Sequence, residues 1–164
     1  MIRVAIITAS DKGYAGRRTD LSGKGLFEYF CVKEGYKAVL YKMLPDEKEM
    51  LKDEMKEICD NGLADLIITT GGTGFSERDI TPEATKEICD KDCPGIPEAM
   101  RFMSMQVTKR AMLTRSYAGI RGKTLIINFP GSKKACDECL EFIIDELKHG
   151  IEIMLGIAGE CGRK

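Results

Sequence analysis

No apolar run in these 164 residues approaches the ~20 that a membrane-spanning helix needs. Charge of one sign is also missing: 25 Lys and Arg stand against 26 Asp and Glu, a formal net charge of −1. With neither a basic nor an acidic excess, neither a nucleic-acid nor a membrane partner is expected. Histidine is nearly absent. The single one, His149, falls in the last helical region and is not expected to be catalytic. No export signal is expected either. The chain opens with one arginine and a short apolar run, Val4 to Thr8, and charges follow, which reads as a first strand. The seven cysteines are an odd number in a chain without such a signal, so reduced thiols in a cytoplasmic protein are expected. Repeats, low-complexity segments and linkers are absent, so residues 1–164 are expected to form one domain. A domain of this size buries roughly 70% of its unfolded surface and needs no staples.

What is present is a strand–helix alternation. Val4 to Thr8 reads as a buried strand, Ser10 to Gly25 as a polar loop, and Gly25 to Glu34 as a helix stopped by Gly35. Tyr36 to Leu44 reads as a strand. Pro45-Asp46 then opens a helix with Met50, Leu51, Met55, Ile58 and Cys59 at three- and four-residue steps, ending at Asn61-Gly62. Asp65 to Thr70 reads as a third strand. Thr81 is expected to cap a helix starting at Pro82. Pro94 to Pro97 breaks the chain before a Met-rich helix from Glu98 to about Lys109. Tyr117 to Gly122 reads as a short strand and turn, Lys123 to Phe129 as a further strand, and Pro130-Gly131-Ser132 as the start of the last helical region. Short connections between alternating elements predict a three-layer α/β/α sandwich with a mostly parallel sheet.

The richest stretch is Leu66 to Thr85, LIITTGGTGFSERDITPEAT. A buried strand ends in two threonines and a glycine turn, where open α/β sheets bind ligands. Bare backbone there can approach an anion and form a nest of N–H groups. The turn matches neither well-known phosphate loop: Gly-Lys-Ser/Thr is absent, and position 77 is Glu where a third glycine would stand. A plain strand-to-helix turn is the alternative, but Thr69, Thr70, Thr73, Ser76 and Asp79 are more polar groups than such a turn needs. Asp46 lies at the same sheet edge, after the second strand. Alone it would be read as a helix cap, but paired with Asp79 it offers two carboxylates to one cleft, enough for Mg²⁺ when phosphate oxygens supply the rest. Asn128 to Ser132 ends another strand before a helix whose amides could hold an anion, or is an ordinary connection. Thr8, Ser10 and Asp11 supply a fourth strand end.

These residues resemble a known family. TTGGTG followed by Arg78-Asp79 and Thr81-Pro82-Glu83-Ala84-Thr85 resembles the signature of the molybdopterin-binding family of molybdenum cofactor biosynthesis. Met112 to Ser116, Ala118 to Asn128 and Pro130-Gly131-Ser132 look like its second block. The likeness runs from Ser10-Asp11 to the final helix, and is greatest to the stand-alone molybdopterin adenylyltransferases and the similar domain of gephyrin. It implies adenylyl transfer from Mg-ATP to the terminal phosphate of molybdopterin, with Asp46 and Asp79 as catalytic residues that position Mg²⁺ and the nucleotide. It implies substrate contacts at Thr70, Gly71, Gly72, Thr73, Gly74, Ser116, Asn128, Pro130, Gly131 and Ser132, to which the first strand end adds Thr8, Ser10 and Asp11. It also implies a homotrimer or homohexamer, with other cofactor-biosynthesis proteins as further partners. A non-catalytic molybdopterin-binding paralogue or carrier is the alternative. Lys133 departs from the proline of many relatives and Phe129 from a leucine or methionine; a changed loop with a phosphate contact is expected at Lys133. Arg17-Arg18 has no secure match; contact with the nucleotide phosphates is one reading, and a solvated loop pair is the favoured one. Cys136-x-x-Cys139 and Cys89-x₃-Cys93 invite a zinc or redox reading, but nothing brings four ligands together, and structural thiols are expected.

Overall fold

The computed structural model describes residues 1–157. Its elements in chain order are β1 (Ile2–Ala9), α1 (Asp11–Tyr14), α2 (Leu21–Val32), β2 (Tyr36–Leu44), α3 (Lys48–Asp60), β3 (Leu66–Thr70), α4 (Thr81–Ile88), β4 (Lys91–Asp92), α5 (Gly95–Val107), a 3₁₀ turn (Lys109–Leu113), β5 (Ala118–Arg121), β6 (Thr124–Phe129) and α6 (Lys133–Met154). The six strands form one sheet in the order β2-β1-β3-β6-β5-β4. β2, β1, β3 and β6 run parallel, and β5 and β4 add antiparallel at one side. Register decides where the site lies. Thr8 pairs with Met43 and with Thr70, and Thr70 pairs with Phe129, so the carboxyl ends of four parallel strands share one edge.

Helices cover both faces, as parallel strands require. On one face Leu26 and Phe30 of α2, Met100 of α5 and Leu140, Ile143, Ile144 and Leu147 of α6 pack on Val4, Ile6, Ile68 and Ile127. On the other, Leu51, Met55 and Ile58 of α3 and Ala84 and Ile88 of α4 pack on Ala5, Ile7, Ile67 and Ile126. β3 and β6 are buried on both sides, which explains their unbroken apolar runs. Among the described residues no helix is long and apolar enough to cross a membrane.

The sandwich is the expected one, with local differences. α2 begins at Leu21, not Gly25, because the Asp20 side chain caps it and accepts from Gly23 N at 2.8 Å. α3 begins at Lys48 after Glu47, so Asp46 is no helix cap. Thr81 is the first residue of α4 and not its cap; Ile80 holds that place without a side-chain bond. β4 is two residues long, too short for a periodicity to reveal.

Cys136 and Cys139 face the core of the α6 layer, and burial pushes the Cys136 thiol up to about 12. Cys136 Sγ donates to the Pro130 carbonyl at 2.9 Å. A protonated, enclosed thiol is a poor nucleophile. Among the described cysteines, alkylation of the folded protein is therefore expected at exposed Cys31 first, with Cys136 and Cys139 labelled only after denaturation, as peptide mass spectrometry would show. Rapid labelling of Cys136 in the folded state would contradict this packing.

Candidate active site

The shared edge opens into a cleft of about 620 Å³. Thr8, Ser10 and Asp11 enter it from β1, Asp46 from the end of β2, Thr70, Gly71, Gly72 and Asp79 from the segment after β3, and Gly131 and Ser132 from the start of α6. Ten of the residues expected at the site thus line one space.

The acids are held in a definite arrangement. Asp11 N donates to Asp46 Oδ2 at 2.9 Å, and Asp46 N donates to Asp11 Oδ1 at 3.0 Å. This reciprocal exchange ties the segment after β1 to the segment after β2. Arg78 then reaches Asp11 through Nε and Nη2, both at 3.0 Å, and Glu47 Oε1 through Nη2 at 2.8 Å. The Arg78 hydrogen bonds hold the Asp11 carboxyl below its ordinary range. Asp46 moves the other way. Burial raises it first, the charges of Asp11 and Asp79 raise it further, and the Asp11 N–H opposes them only in part. Asp46 is therefore a half-buried carboxylate near two others.

The glycine turn brings bare backbone to the same space. Gly71 and Gly72 have φ of 92° and 65°, a left-handed region that excludes most side chains. A Cβ on Gly71 would lie 2.3 Å from the Ala9 carbonyl oxygen, and one on Gly72 would lie 2.3 Å from Thr81 Oγ1 and 3.3 Å from Asp46 Oδ1. Downstream, Asp79 Oδ2 accepts from Ser76 N at 2.9 Å. Arg115 fixes this loop from behind: Nε donates to Gly74 O at 2.7 Å, Nη2 to Asp79 O at 2.5 Å, its own N–H to Thr73 O at 2.9 Å, and Nη1 pairs with Glu83.

Five expected contacts, Thr73, Gly74, Ser116, Asn128 and Pro130, stand outside the cleft lining. Thr73 is buried. Ser116 is buried and shares a 2.9 Å hydrogen bond with the Thr114 hydroxyl. Asn128 is fully buried and donates to Thr69 Oγ1 at 2.9 Å and Thr85 Oγ1 at 2.8 Å. Strand alternation explains this: Asn128 pairs in register with Thr69, and both face α4, not the edge. Pro130 contributes its carbonyl, which accepts from Thr70 Oγ1 at 2.7 Å. Gly74 lies against Asp79, where a Cβ would meet Oδ2 at 2.9 Å.

Further residues line the cleft. Arg18 lines the cleft while remaining exposed to solvent, and Arg17, also exposed, stands outside the lining. Lys133 also lines it and bonds Asp137 at 2.7 Å. Asp20 accepts from Thr8 Oγ1 at 2.6 Å and Tyr41 Oη at 2.7 Å, and so sets the orientation of the Thr8 hydroxyl. The helix-start sequence Asp20-Leu21-Ser22 was the available signal for Asp20. Among the described residues no group of three or more His, Cys, Asp and Glu side chains is arranged to hold a metal ion.

Known proteins similar to this chain in sequence and fold agree on a family. The family described as "Probable molybdopterin binding domain" matches residues 5–149. The molybdopterin adenylyltransferase of Helicobacter pylori is 40% identical over 159 residues, covering 94% of this chain and 89% of that protein. The molybdopterin biosynthesis enzyme MoaB of Thermus thermophilus superposes with a TM-score of 0.88 at 41% identity, covering 95% of this chain and 98% of that one. The tungsten cofactor synthesizing protein MoaB of Pyrococcus furiosus superposes with a TM-score of 0.85 at 35% identity, covering 94% and 97%. The chain belongs to the molybdopterin-binding domain family of molybdenum cofactor biosynthesis.

Proposed function

We propose that this chain is a molybdopterin adenylyltransferase working as a single domain. The terminal phosphate of molybdopterin attacks the α-phosphorus of Mg-ATP. The bond to the β-phosphate oxygen breaks, and adenylylated molybdopterin and pyrophosphate leave. The observation that carries this reading is the meeting of two kinds of group in one cleft: the half-buried, side-chain-free backbone of Gly71 and Gly72 beside the N-terminal end of α6, and the carboxylates Asp46 and Asp79 from different strand ends. The first suits phosphates, and the second suits the cation that accompanies them.

The donor set fits Mg²⁺ brought with the nucleotide. Asp46 is raised first by burial and then by its acidic neighbours, a cost that a nearby cation relieves. Bound there by Asp46 and Asp79, Mg²⁺ would neutralise charge on the phosphates. The chain's own residues do the positioning: Asp11 and Arg78 hold the Asp46 segment, and Arg115 holds the Asp79 loop. No side chain is needed as a covalent nucleophile, because transfer at phosphorus depends mainly on alignment and charge. Arg18 and Lys133 supply the positive charge on the cleft wall that an anionic substrate pair calls for. A homotrimer or homohexamer in the cytoplasm accompanies this reading.

The test is pyrophosphate release from Mg-ATP with and without molybdopterin. Pterin-dependent release with adenylylated pterin as product is expected. Tight pterin binding without release would overturn the assignment and leave a carrier.

A further inference from the structure

One polar group beside the acids has no function yet. Thr81 is fully buried, and its Oγ1 has no hydrogen-bond partner. Burying an unpaired hydroxyl is unfavourable, and valine would fill the same volume without that cost. Nor does the hydroxyl serve its helix. It does not cap α4, whereas Thr85 one turn later bonds back to Thr81 O at 2.9 Å. What Oγ1 does face is Gly72 and, beyond it, Asp46. The Cβ position of Gly72 lies 2.3 Å from Thr81 Oγ1 and 3.3 Å from Asp46 Oδ1. Both oxygens therefore border the space that a side chain on Gly72 would take. Asp46 Oδ2 already accepts from Asp11 N, while Oδ1 is the oxygen turned toward this gap.

We infer that Thr81 is a positioning residue for Asp46: when Mg-ATP occupies the cleft, its hydroxyl donates to Oδ1 and holds the carboxylate between Asp11 and Thr81. This rests on the adenylyl-transfer reading, in which Asp46 faces the nucleotide's cation. Gly72 is then required for two reasons, its positive φ and the space that its missing side chain leaves beside the two oxygens. Thr81 is linked in turn to the buried polar chain Asn128–Thr85–Thr81 O, which fixes the first turn of α4.

The experiment uses Mn²⁺ as a paramagnetic probe for the cation. Its uptake with ATP is titrated by electron paramagnetic resonance on the wild type and on Thr81→Val, Thr81→Ser and Thr81→Ala. Thr81→Val is expected to weaken Mn²⁺ uptake about tenfold, the worth of one hydrogen bond to a charged group. kcat should fall by about the same factor while KM for molybdopterin changes by no more than about twofold. Thr81→Ser, which keeps the hydroxyl, should restore both. Should Thr81→Val fail to fold, the Ala and Ser variants isolate the hydroxyl at nearly constant volume. Wild-type Mn²⁺ affinity and kcat in the variants lacking the hydroxyl would overturn the inference and leave the adenylyl-transfer reading standing. A wild type that takes up no Mn²⁺ with ATP would overturn both.

Discussion

Asp79→Asn is expected to lower the rate of pyrophosphate release at least ~10²-fold, the usual scale for removing one preorganised electrostatic group. The substitution keeps size and an oxygen acceptor, so the 2.9 Å bond from Ser76 N survives. The loop itself is held by Arg115 on the Asp79 carbonyl, which the substitution does not touch. Melting temperature and pterin binding should therefore stay near the wild type. An unchanged rate would remove Asp79 from the chemistry.

Asp46→Asn should lose activity similarly but differ in stability. Burial, aided by the charges of Asp11 and Asp79, raises the Asp46 carboxyl in the folded state. The folded protein therefore holds its proton more tightly than the unfolded chain does. Between the ordinary carboxyl value, about 3.9, and the raised one, the folded state binds more protons, so this group's contribution falls as pH rises. At neutral pH the ionised Asp46 is a net cost, and a neutral amide removes it. The expected result is an inactive Asp46→Asn with a melting temperature equal to or above that of the wild type. Its advantage should shrink as the pH is lowered through that window. A marked fall in stability at neutral pH would show that the Asp46 charge is compensated in the fold. Activity and stability pull apart here because the acid serves a ligand more than the chain.

Most of this site was legible because its parts sit where strands end. Apolar β-branched runs located β1, β3 and β6, and the polar residues after each run had only one sheet edge to occupy. Asp46 and Asp79 could be paired from this alone, since parallel strands put their carboxyl ends together. Legibility failed where a side chain's direction matters. Asn128 and Thr70 are both near strand ends, yet Asn128 faces α4 in full burial while Thr70 lines the cleft. Residue spacing gives the alternation but not which parity faces the opening. It failed again in the Ser10 to Gly25 stretch. A four-residue helix and a cap at Asp20 set where this stretch meets the cleft, and neither leaves a periodic pattern. Arg115 was quoted only as part of a motif. Its work is done through three bonds to distant carbonyls and a pairing with Glu83, contacts that exist only once β3, α4 and β5 are assembled.

Gly71→Ala is expected to be among the most destabilising single-methyl additions in the described chain, and comparison with Gly62→Ala separates its two causes. Both glycines have positive φ, 92° at Gly71 and 59° at Gly62. A Cβ at Gly62 meets nothing within 4 Å, so that variant bears only backbone strain, about 1 kcal/mol. At Gly71 the methyl would lie 2.3 Å from the Ala9 carbonyl oxygen. That oxygen belongs to backbone at the end of β1, the central partner of both β2 and β3, and cannot turn aside as a side chain can. Relief requires moving one strand end away from the other, for a total of about 3 kcal/mol or more. For a domain of this size the two costs translate into falls of about 2–4 °C for Gly62→Ala and about 6–12 °C for Gly71→Ala. The same displacement pulls the turn away from Thr8, Ser10 and Asp11, so nucleotide binding should weaken even where the variant is fully folded. Equal melting temperatures for the two variants would mean that β1 and the glycine turn do not approach so closely, and that the cleft is wider at this point. A large fall at Gly71 alone, with loss of nucleotide binding, would tie the shape of the cleft to the contact that closes the sheet edge.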